Sequence, residues 1–267
     1  MTARIDLRGS RALVTGATGG LGQAIVRRLA KEGAELVLSG RRLDVLGPLA
    51  QELGATAITA ELEDLTDVDR LMVEAGPLDL LVANAALPTN GDLLEYTPEQ
   101  LARALTVNLH APIAMSRTAA IGMVERGRGH IVLIGSLSGR VASIDSSLYN
   151  ATKFGLRGFS LGFRQDLANR GVGVSIVEPG FVREAGMFVE SGAKLPGGLR
   201  TVKPEQVASG VVKAVRRDKA EIVVAPIELR AGGAVGVLLP SLGAKIQDLG
   251  GGAKLAGKMA EGQRDKR

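Results

Sequence analysis

The sequence contains no cysteine and only two histidines in 267 residues. Without cysteine there is no disulfide, no thiolate zinc site and no cysteine nucleophile, which agrees with a reducing compartment. His110 and His130 cannot supply a multi-histidine metal centre, so no metal site is expected. Aromatic residues make up 3% of the chain, so the core must be built from Ala, Val, Leu and Ile. Long apolar runs are also lacking. The charge-free stretch from Ala231 to Ala244 is shorter than the roughly 20 residues a spanning helix needs, and it contains Pro240. The segment from Met1 to Arg8 has no apolar stretch of the kind a signal peptide carries, so a cytoplasmic location is expected.

Hydrophobic residues at 45% and charged residues at 23% are ordinary for a globular protein with a buried core. The net charge of +5 is unevenly placed. Residues 228–267 hold seven basic and four acidic side chains, leaving the body nearly balanced. No basic stripe with interleaved aromatics occurs in the body, so no nucleic-acid partner is expected. The basic tail reads as a solvated extension. A membrane-surface contact by the tail has little support, because glycines and Pro240 break its helical amphipathicity.

Short apolar runs alternate with longer helix-like segments, the pattern of repeated β-α units and a parallel sheet. The candidate strands are Ala12–Thr15, Leu36–Ser39, Ala57–Ala60, Leu80–Ala83, Ile131–Gly135, Val172–Val177 and Glu221–Ala225. The candidate helices are Leu21–Lys31, Leu43–Leu53, Val68–Glu74, Pro98–Glu125, Leu148–Asn169 and Pro204–Arg217. Right-handed crossovers turn this order into one doubly wound α/β sheet of about seven strands with helices on both faces. Residues 1–227 are expected to form one domain, followed by the Gly/Ala-rich extension 228–267.

The first unit runs from a strand into Thr15-Gly16-Ala17-Thr18-Gly19-Gly20-Leu21-Gly22 and then a helix. Glycines permit a sharp turn and close approach of a pyrophosphate, and the helix N-terminus offers N–H groups and a positive dipole end. A second strand ending at Ser39 completes the unit of roughly 30 residues that a dinucleotide site requires. An acid at the end of that strand would accept from a ribose 2′-hydroxyl. Gly40 stands there instead, followed by Arg41, whose guanidinium suits a 2′-phosphate and so NADP(H). The other reading makes Arg41 and Arg42 solvent-facing charges.

Tyr149 and Lys153, four residues apart on a helix, share one face. An ammonium near a phenol, helped by an oxidised nicotinamide ring, stabilises phenolate and lowers its pKa from about 10, so that Tyr149 could exchange a proton with a substrate oxygen. Ser136 falls at the C-terminal end of a strand, where doubly wound sheets place ligands, and could hold the same oxygen.

Together these motifs resemble the short-chain dehydrogenase/reductase family over about Leu7 to Ala225. Thr15-Gly16-x-x-x-Gly20-x-Gly22 looks like its cofactor turn, with a spacing unlike the epimerase-type branch, and Asn84-Ala85-Ala86 like its Asn-Ala-Gly. Asp64 in Glu63-Asp64-Leu65-Thr66 looks like the adenine contact, and Asn108 like the Asn that supports a proton path to the lysine. Ser136 precedes Tyr149 by the usual 13 positions, and Pro179-Gly180, with Val182 beyond, matches the segment along the nicotinamide. The resemblance implies a Rossmann-like oxidoreductase. Hydride would pass between NADP(H) and an alcohol, ketone or aldehyde, with Asn108, Ser136, Tyr149 and Lys153 catalytic. Ala86 departs from the family's glycine, and Glu184 stands where a threonine often bonds the carboxamide.

By the same analogy the loop 181–200 closes over the substrate, with Ser138, Met187 and Phe188 as candidate contacts. Met187, Phe188, Val189 and Leu195 either line an apolar, lipid-suited pocket or pack beneath the loop. The resemblance also implies a homodimer or homotetramer. A rival reading is a catalytically silent NADP(H)-binding sensor or scaffold, which would not need Ser136, Tyr149 and Lys153 together.

Overall fold

A computed structural model describes residues 5–195, 199–238 and 252–263. Pro196 of the substrate loop, Pro240, and the charged residues Lys245, Asp248 and Arg264–Arg267 of the tail lie outside the described residues.

All seven expected strands form: β1 (Arg11–Thr15), β2 (Glu35–Gly40), β3 (Thr56–Thr59), β4 (Leu80–Ala83), β5 (Gly129–Ile134), β6 (Val172–Pro179) and β7 (Glu221–Val224). They make one all-parallel sheet in the order β3-β2-β1-β4-β5-β6-β7. The doubly wound expectation is therefore met. After β3 the chain crosses back past β1 to begin β4, and this reversal opens a crevice at the carboxyl ends of β1 and β4.

The five central strands of the sheet are buried on both faces, which explains why they read as largely continuous apolar runs, whereas the edge strands β3 and β7 are less covered. Side-chain alternation divides them between two cores. Leu13, Leu81, Ile131 and Val174 pack on one face with Leu71, Met115 and Leu156. Ala12, Val14, Val82 and Val132 pack on the other with Ile25, Leu46 and Val211. The elements covering the two faces are α1 (Gly20–Lys31), α2 (Leu43–Leu53), α3 (Leu65–Ala75), α4 (Pro98–Leu105), α5 (Ala111–Glu125), α6 (Ser147–Asp166) and α8 (Pro204–Arg217), with the short α7 (Met187–Glu190) in the substrate loop. Truncating a fully buried leucine such as Leu13 to alanine should cost about 2–5 kcal/mol.

Pro98–Glu125 is not one uninterrupted helix. Thr97 opens α4 with a reciprocal cap, its hydroxyl accepting from the Gln100 N–H while its own N–H donates to the Gln100 side chain. Residues Thr106–His110 then form a turn of π-helix before α5 begins. Pro112 supplies the reason: it has no N–H to give the Asn108 carbonyl, so the α-helical ladder cannot run through that position.

The tail is also helical, in α9 (Ile227–Leu238) and α10 (Gly252–Glu261). Its glycines admit close packing: a Cβ at Gly236 would lie 2.8 Å from Val141. Among the described residues no helix is long and apolar enough to cross a membrane.

Candidate active site

The turn between β1 and α1 is glycine-dependent at two points. Gly16 has φ +65°, and a Cβ there would come within 2.9 Å of Ala85 Cα. A Cβ at Gly22 would lie 2.1 Å from the Gly16 carbonyl oxygen, so only hydrogen fits. Gly19, which opens α1, makes no side-chain cap, and the first turn carries no acid. Its backbone N–H groups and dipole suit a phosphate.

Thr15 stands behind this turn rather than in the crevice. Its buried hydroxyl accepts from the N–H groups of Asn84 (3.1 Å) and Ala85 (3.2 Å), while Asn84 Nδ2 donates to the Thr15 carbonyl at 2.9 Å. The pair locks the ends of β1 and β4, and with them the floor of the crevice formed by Asn84, Ala85 and Ala86.

At the end of β2, Ser39 and Arg41 border the crevice. A side chain at Gly40 would press on Thr18, its Cβ falling 2.9 Å from the Thr18 methyl. An acid at that position would have to displace the Thr18 side chain. Arg42 remains exposed, as the solvent-facing reading has it, but it also borders the crevice and donates to the Thr18 carbonyl. Arg41 lies 3.9 Å from Glu61.

Asp64 and Leu65 do not border the crevice. Asp64 begins α3, its carboxylate accepting from the Thr66 N–H at 2.8 Å, a helix cap of the ordinary kind. Glu61 and Leu62, three residues earlier in register, line the crevice instead. The two acid-leucine pairs, Glu61-Leu62 and Asp64-Leu65, look alike in sequence, and only the strand end decides between them.

Ser136 follows β5, where the strand meets a short 3-10 turn, Leu137–Gly139. Its hydroxyl accepts from the Ser138 N–H at 3.1 Å and donates to the Tyr149 phenol oxygen. Lys153, one turn along α6 from Tyr149, is buried with its Nζ donating to the Ile134 carbonyl at 3.0 Å and lying 5.7 Å from the centre of the Tyr149 ring. Burial lowers the lysine to about 8. It also pushes the Tyr149 phenol above its ordinary value, against the pull of Ser136. The depression expected from the ammonium and an oxidised nicotinamide together belongs to the cofactor-bound state; without the cofactor the ammonium sits over the ring and is tied to a strand carbonyl.

Asn108 is buried in the π-turn, and both ends of its side chain bond to Leu87. Oδ1 accepts from the Leu87 N–H at 2.6 Å, and Nδ2 donates to the Leu87 carbonyl at 2.9 Å. It thus fixes the chain after β4 against the helix and does not itself border the cavity.

Pro179, Gly180 and Val182 lie along the crevice, and Val202 pairs with Val182 in a single bridge. Glu184, in the left-handed region at φ +68°, points to solvent beside Arg183 (3.4 Å), so it places no charge in the crevice. Met187 and Phe188 border the cavity, and Phe188 also packs on Phe181 with ring centres 5.2 Å apart. Val189 is exposed and does not border it.

Gly16, Gly20, Leu21, Gly22, Ser136, Ser138, Tyr149 and Lys153 all border one continuous cavity of about 1350 Å³. Leu229 of α9 and Leu255, Ala256 and Met259 of α10 border it too. The broken helical pattern of the tail concealed these four contributions.

A sequence profile described as short chain dehydrogenase matches residues 10–195, well over half of the chain. The chain belongs to the short-chain dehydrogenase/reductase family. It is 34% identical over 227 residues to a protein named Ketoacyl reductase HetN from Nostoc sp. strain PCC 7120, covering 82% of this chain and 79% of that one. It is similar to a solved short-chain dehydrogenase from Sphingobium yanoikuyae in complex with NADPH (TM-score 0.75, 26% identity, 86% of this chain and 94% of that one). It is also similar to the closed form of a serine dehydrogenase complexed with NADP+ (TM-score 0.73, 28% identity, 81% and 95%).

As a short-chain dehydrogenase/reductase, the chain is an NAD(P)-dependent oxidoreductase. The cradle around Gly16 and Gly22 and the open N-terminus of α1 suit the pyrophosphate of that cofactor. Ser39, Leu62, Ala85 and Gly180 border the same cavity as Tyr149 and Ser136 and could hold the rest of that cofactor.

Proposed function

We propose that the chain is an NADP(H)-preferring carbonyl reductase or alcohol dehydrogenase for apolar, lipid-like substrates, with Tyr149 as the general acid/base. The supporting observation is the convergence of Ser136, Tyr149 and Lys153 on one cavity with the glycine turn and a cluster of apolar side chains. The nicotinamide supplies or accepts hydride. Ser136 holds the substrate oxygen, and Tyr149 gives its proton to that oxygen during reduction or removes one during oxidation. A phenol raised by burial stays protonated at neutral pH, which suits reduction. Lys153 keeps positive charge beside the phenol, and Asn108 is a positioning residue that holds the Leu87 backbone.

The preference for NADP(H) is supported by the steric block at Gly40 and by Arg41 and Arg42 at the adenosine end. Both solved relatives described above carry that cofactor. The name of the Nostoc relative supports a carbonyl substrate. A homodimer or homotetramer is part of the same proposal. Exposed Leu105, Ile121 and Phe154 on α4, α5 and α6 are consistent with helix pairing between copies. The absence of cysteine agrees with a cytoplasmic setting.

Direct titration with NADPH and NADH, followed by a screen of aldehydes and ketones, tests the reading. NADPH binding at least about tenfold tighter than NADH, with turnover of an apolar carbonyl, is expected. Preference for NADH overturns the cofactor assignment. Cofactor binding without any carbonyl turnover favours the silent sensor.

A further inference from the structure

Gln263 is polar, lies beyond the last turn of α10 and is only 1% exposed. Its side chain is used at both ends: Oε1 accepts from Asn90 Nδ2 at 3.0 Å, and Nε2 donates to the Met187 carbonyl at 2.6 Å. Asn90 in turn accepts from the Ser146 hydroxyl at 3.0 Å, and Ser146 precedes the first residue of α6. One glutamine therefore connects the tail to the substrate loop and, through Asn90, to the start of the helix carrying Tyr149. The adjoining Gly262 is closely fitted as well, since a Cβ there would fall 2.2 Å from the Ser191 carbonyl oxygen. An exposed, merely solvated tail has no need of such a buried amide. Buried polar groups held at both ends specify one arrangement of the segments they join.

Between this anchor and the catalytic residues lie Leu255, Ala256 and Met259 of α10, all bordering the cavity. Val141 and Ile144 border it from the loop after β5. No charged side chain stands among these five. Side chains of this kind are complementary to methylene groups, while Asn90, Ser143, Ser146, Glu190 and Glu228 supply the polar part of the same cavity's border.

We infer that α10 is the outer wall of a substrate subsite for an extended aliphatic chain, and that Gln263 is the positioning residue that holds this wall against the substrate loop. The inference rests on the oxidoreductase reading for its carbonyl end and extends it to the other end of the substrate. The specificity it predicts is for chain length. Each methylene that reaches α10 leaves water and should raise affinity by up to about fourfold, so affinity rises along a series of linear aldehydes until the chamber is full.

The chain's lack of cysteine supplies the test, carried out on the full-length protein. Met259→Cys introduces a single thiol in the proposed wall, and its rate of reaction with a thiol reagent is followed with NADP+ present. Decanol should slow the reaction about tenfold or more, whereas ethanol should leave it unchanged. In the same background Gln263→Ala should abolish most of that protection. Separately, Gln263→Ala in the otherwise native chain should lower the ratio of kcat/KM for decanal over propanal by about tenfold, chiefly through KM. Gln263→Glu keeps the acceptor for Asn90 but loses the donor to Met187, and should fall between. Equal labelling with and without decanol, or an unchanged decanal-to-propanal ratio in Gln263→Ala, overturns the inference. These results are distinct from failure of the redox reading. Protection by decanol with no turnover of either aldehyde keeps the chamber and removes the proposed reaction. Turnover of propanal with an unprotected thiol does the reverse.

Discussion

Arg140 and Glu178 form a charge pair whose acid is almost wholly buried: Nη2 lies 2.6 Å from Oε2, and the Glu178 side chain is 1% exposed. Arg140 closes the loop carrying Ser136 and Ser138, and Glu178 immediately precedes Pro179. Arg157, one helical turn beyond Lys153, approaches the same carboxylate at 3.7 Å and pairs with Glu221 at 2.6 Å. One buried acid thus joins the serine loop, the catalytic helix and the cofactor-facing end of β6. Burial pushes its carboxyl above the ordinary value, and the Arg140 hydrogen bond pulls it back. Replacing it by leucine leaves two guanidinium groups with only Glu221 between them. Glu178→Leu should lose about 3 kcal/mol of stability. A thermal melt should show Tm lower by roughly 6–12 °C. A change below about 2 °C would reduce the network to a surface contribution.

Tyr149→Phe keeps the ring and removes the transferable proton. Carbonyl reduction should fall roughly 10²–10⁴-fold, while NADPH titration changes by less than about threefold. The native enzyme should show reduction rates level through neutral pH and declining only in alkali, because burial raises the phenol and its proton is retained. A Phe variant with near-native turnover would remove Tyr149 from the proton transfer.

The sheet was legible because its central strands β1, β2, β4, β5 and β6 are largely apolar runs of the right length, while the edge strands β3 and β7 follow the same spacing with less burial. Glycine and arginine at positions 40 and 41 were equally plain. Three features were not. The π-turn at Asn108 depends on a missing N–H four residues later at Pro112, and leaves no mark on the hydrophobic period. The choice between Glu61-Leu62 and Asp64-Leu65 turns on where β3 stops and α3 starts, a matter of a few residues. The tail was hidden because Gly236 and Gly262, which read as helix breakers, are the positions where it packs closest to Val141 and Ser191.

His130 is buried in β5 with its Nε2 2.8 Å from the Ser175 hydroxyl, which itself donates to the Lys219 carbonyl. The ring must therefore donate through Nε2. Burial lowers its pKa to about 4, outweighing the attraction of Asp218. The unfolded chain, with a pKa near 6.5, binds this proton more readily. The stabilising contribution is complete above about pH 6.5, declines as pH falls, and is lost below about pH 4. Across that window it amounts to about 3 kcal/mol. Melts of the native chain and His130→Asn between these pH values should differ in slope, with the native chain losing stability faster on acidification. Parallel slopes would mean that the imidazole is protonated in the folded protein.

Arg41 shares its end of the crevice with Glu61, 3.9 Å away, so one charge favours a 2′-phosphate and the other opposes it. Arg42 is held by the Thr18 carbonyl, which points its guanidinium at the same region. Charge-assisted hydrogen bonds to a phosphate are worth about 1.5–3 kcal/mol. Arg41→Ala and Arg42→Ala should therefore each weaken NADPH by about tenfold or more and NADH much less. Glu61→Gln should act in the opposite direction, tightening NADPH at low salt because the competing carboxylate is gone. That gain should shrink as salt rises, since both side chains are more than half exposed. Fluorescence titration of the three variants with both cofactors separates the outcomes. Equal losses of NADPH and NADH in the arginine variants would show that these guanidiniums support the turn without reading the 2′ position.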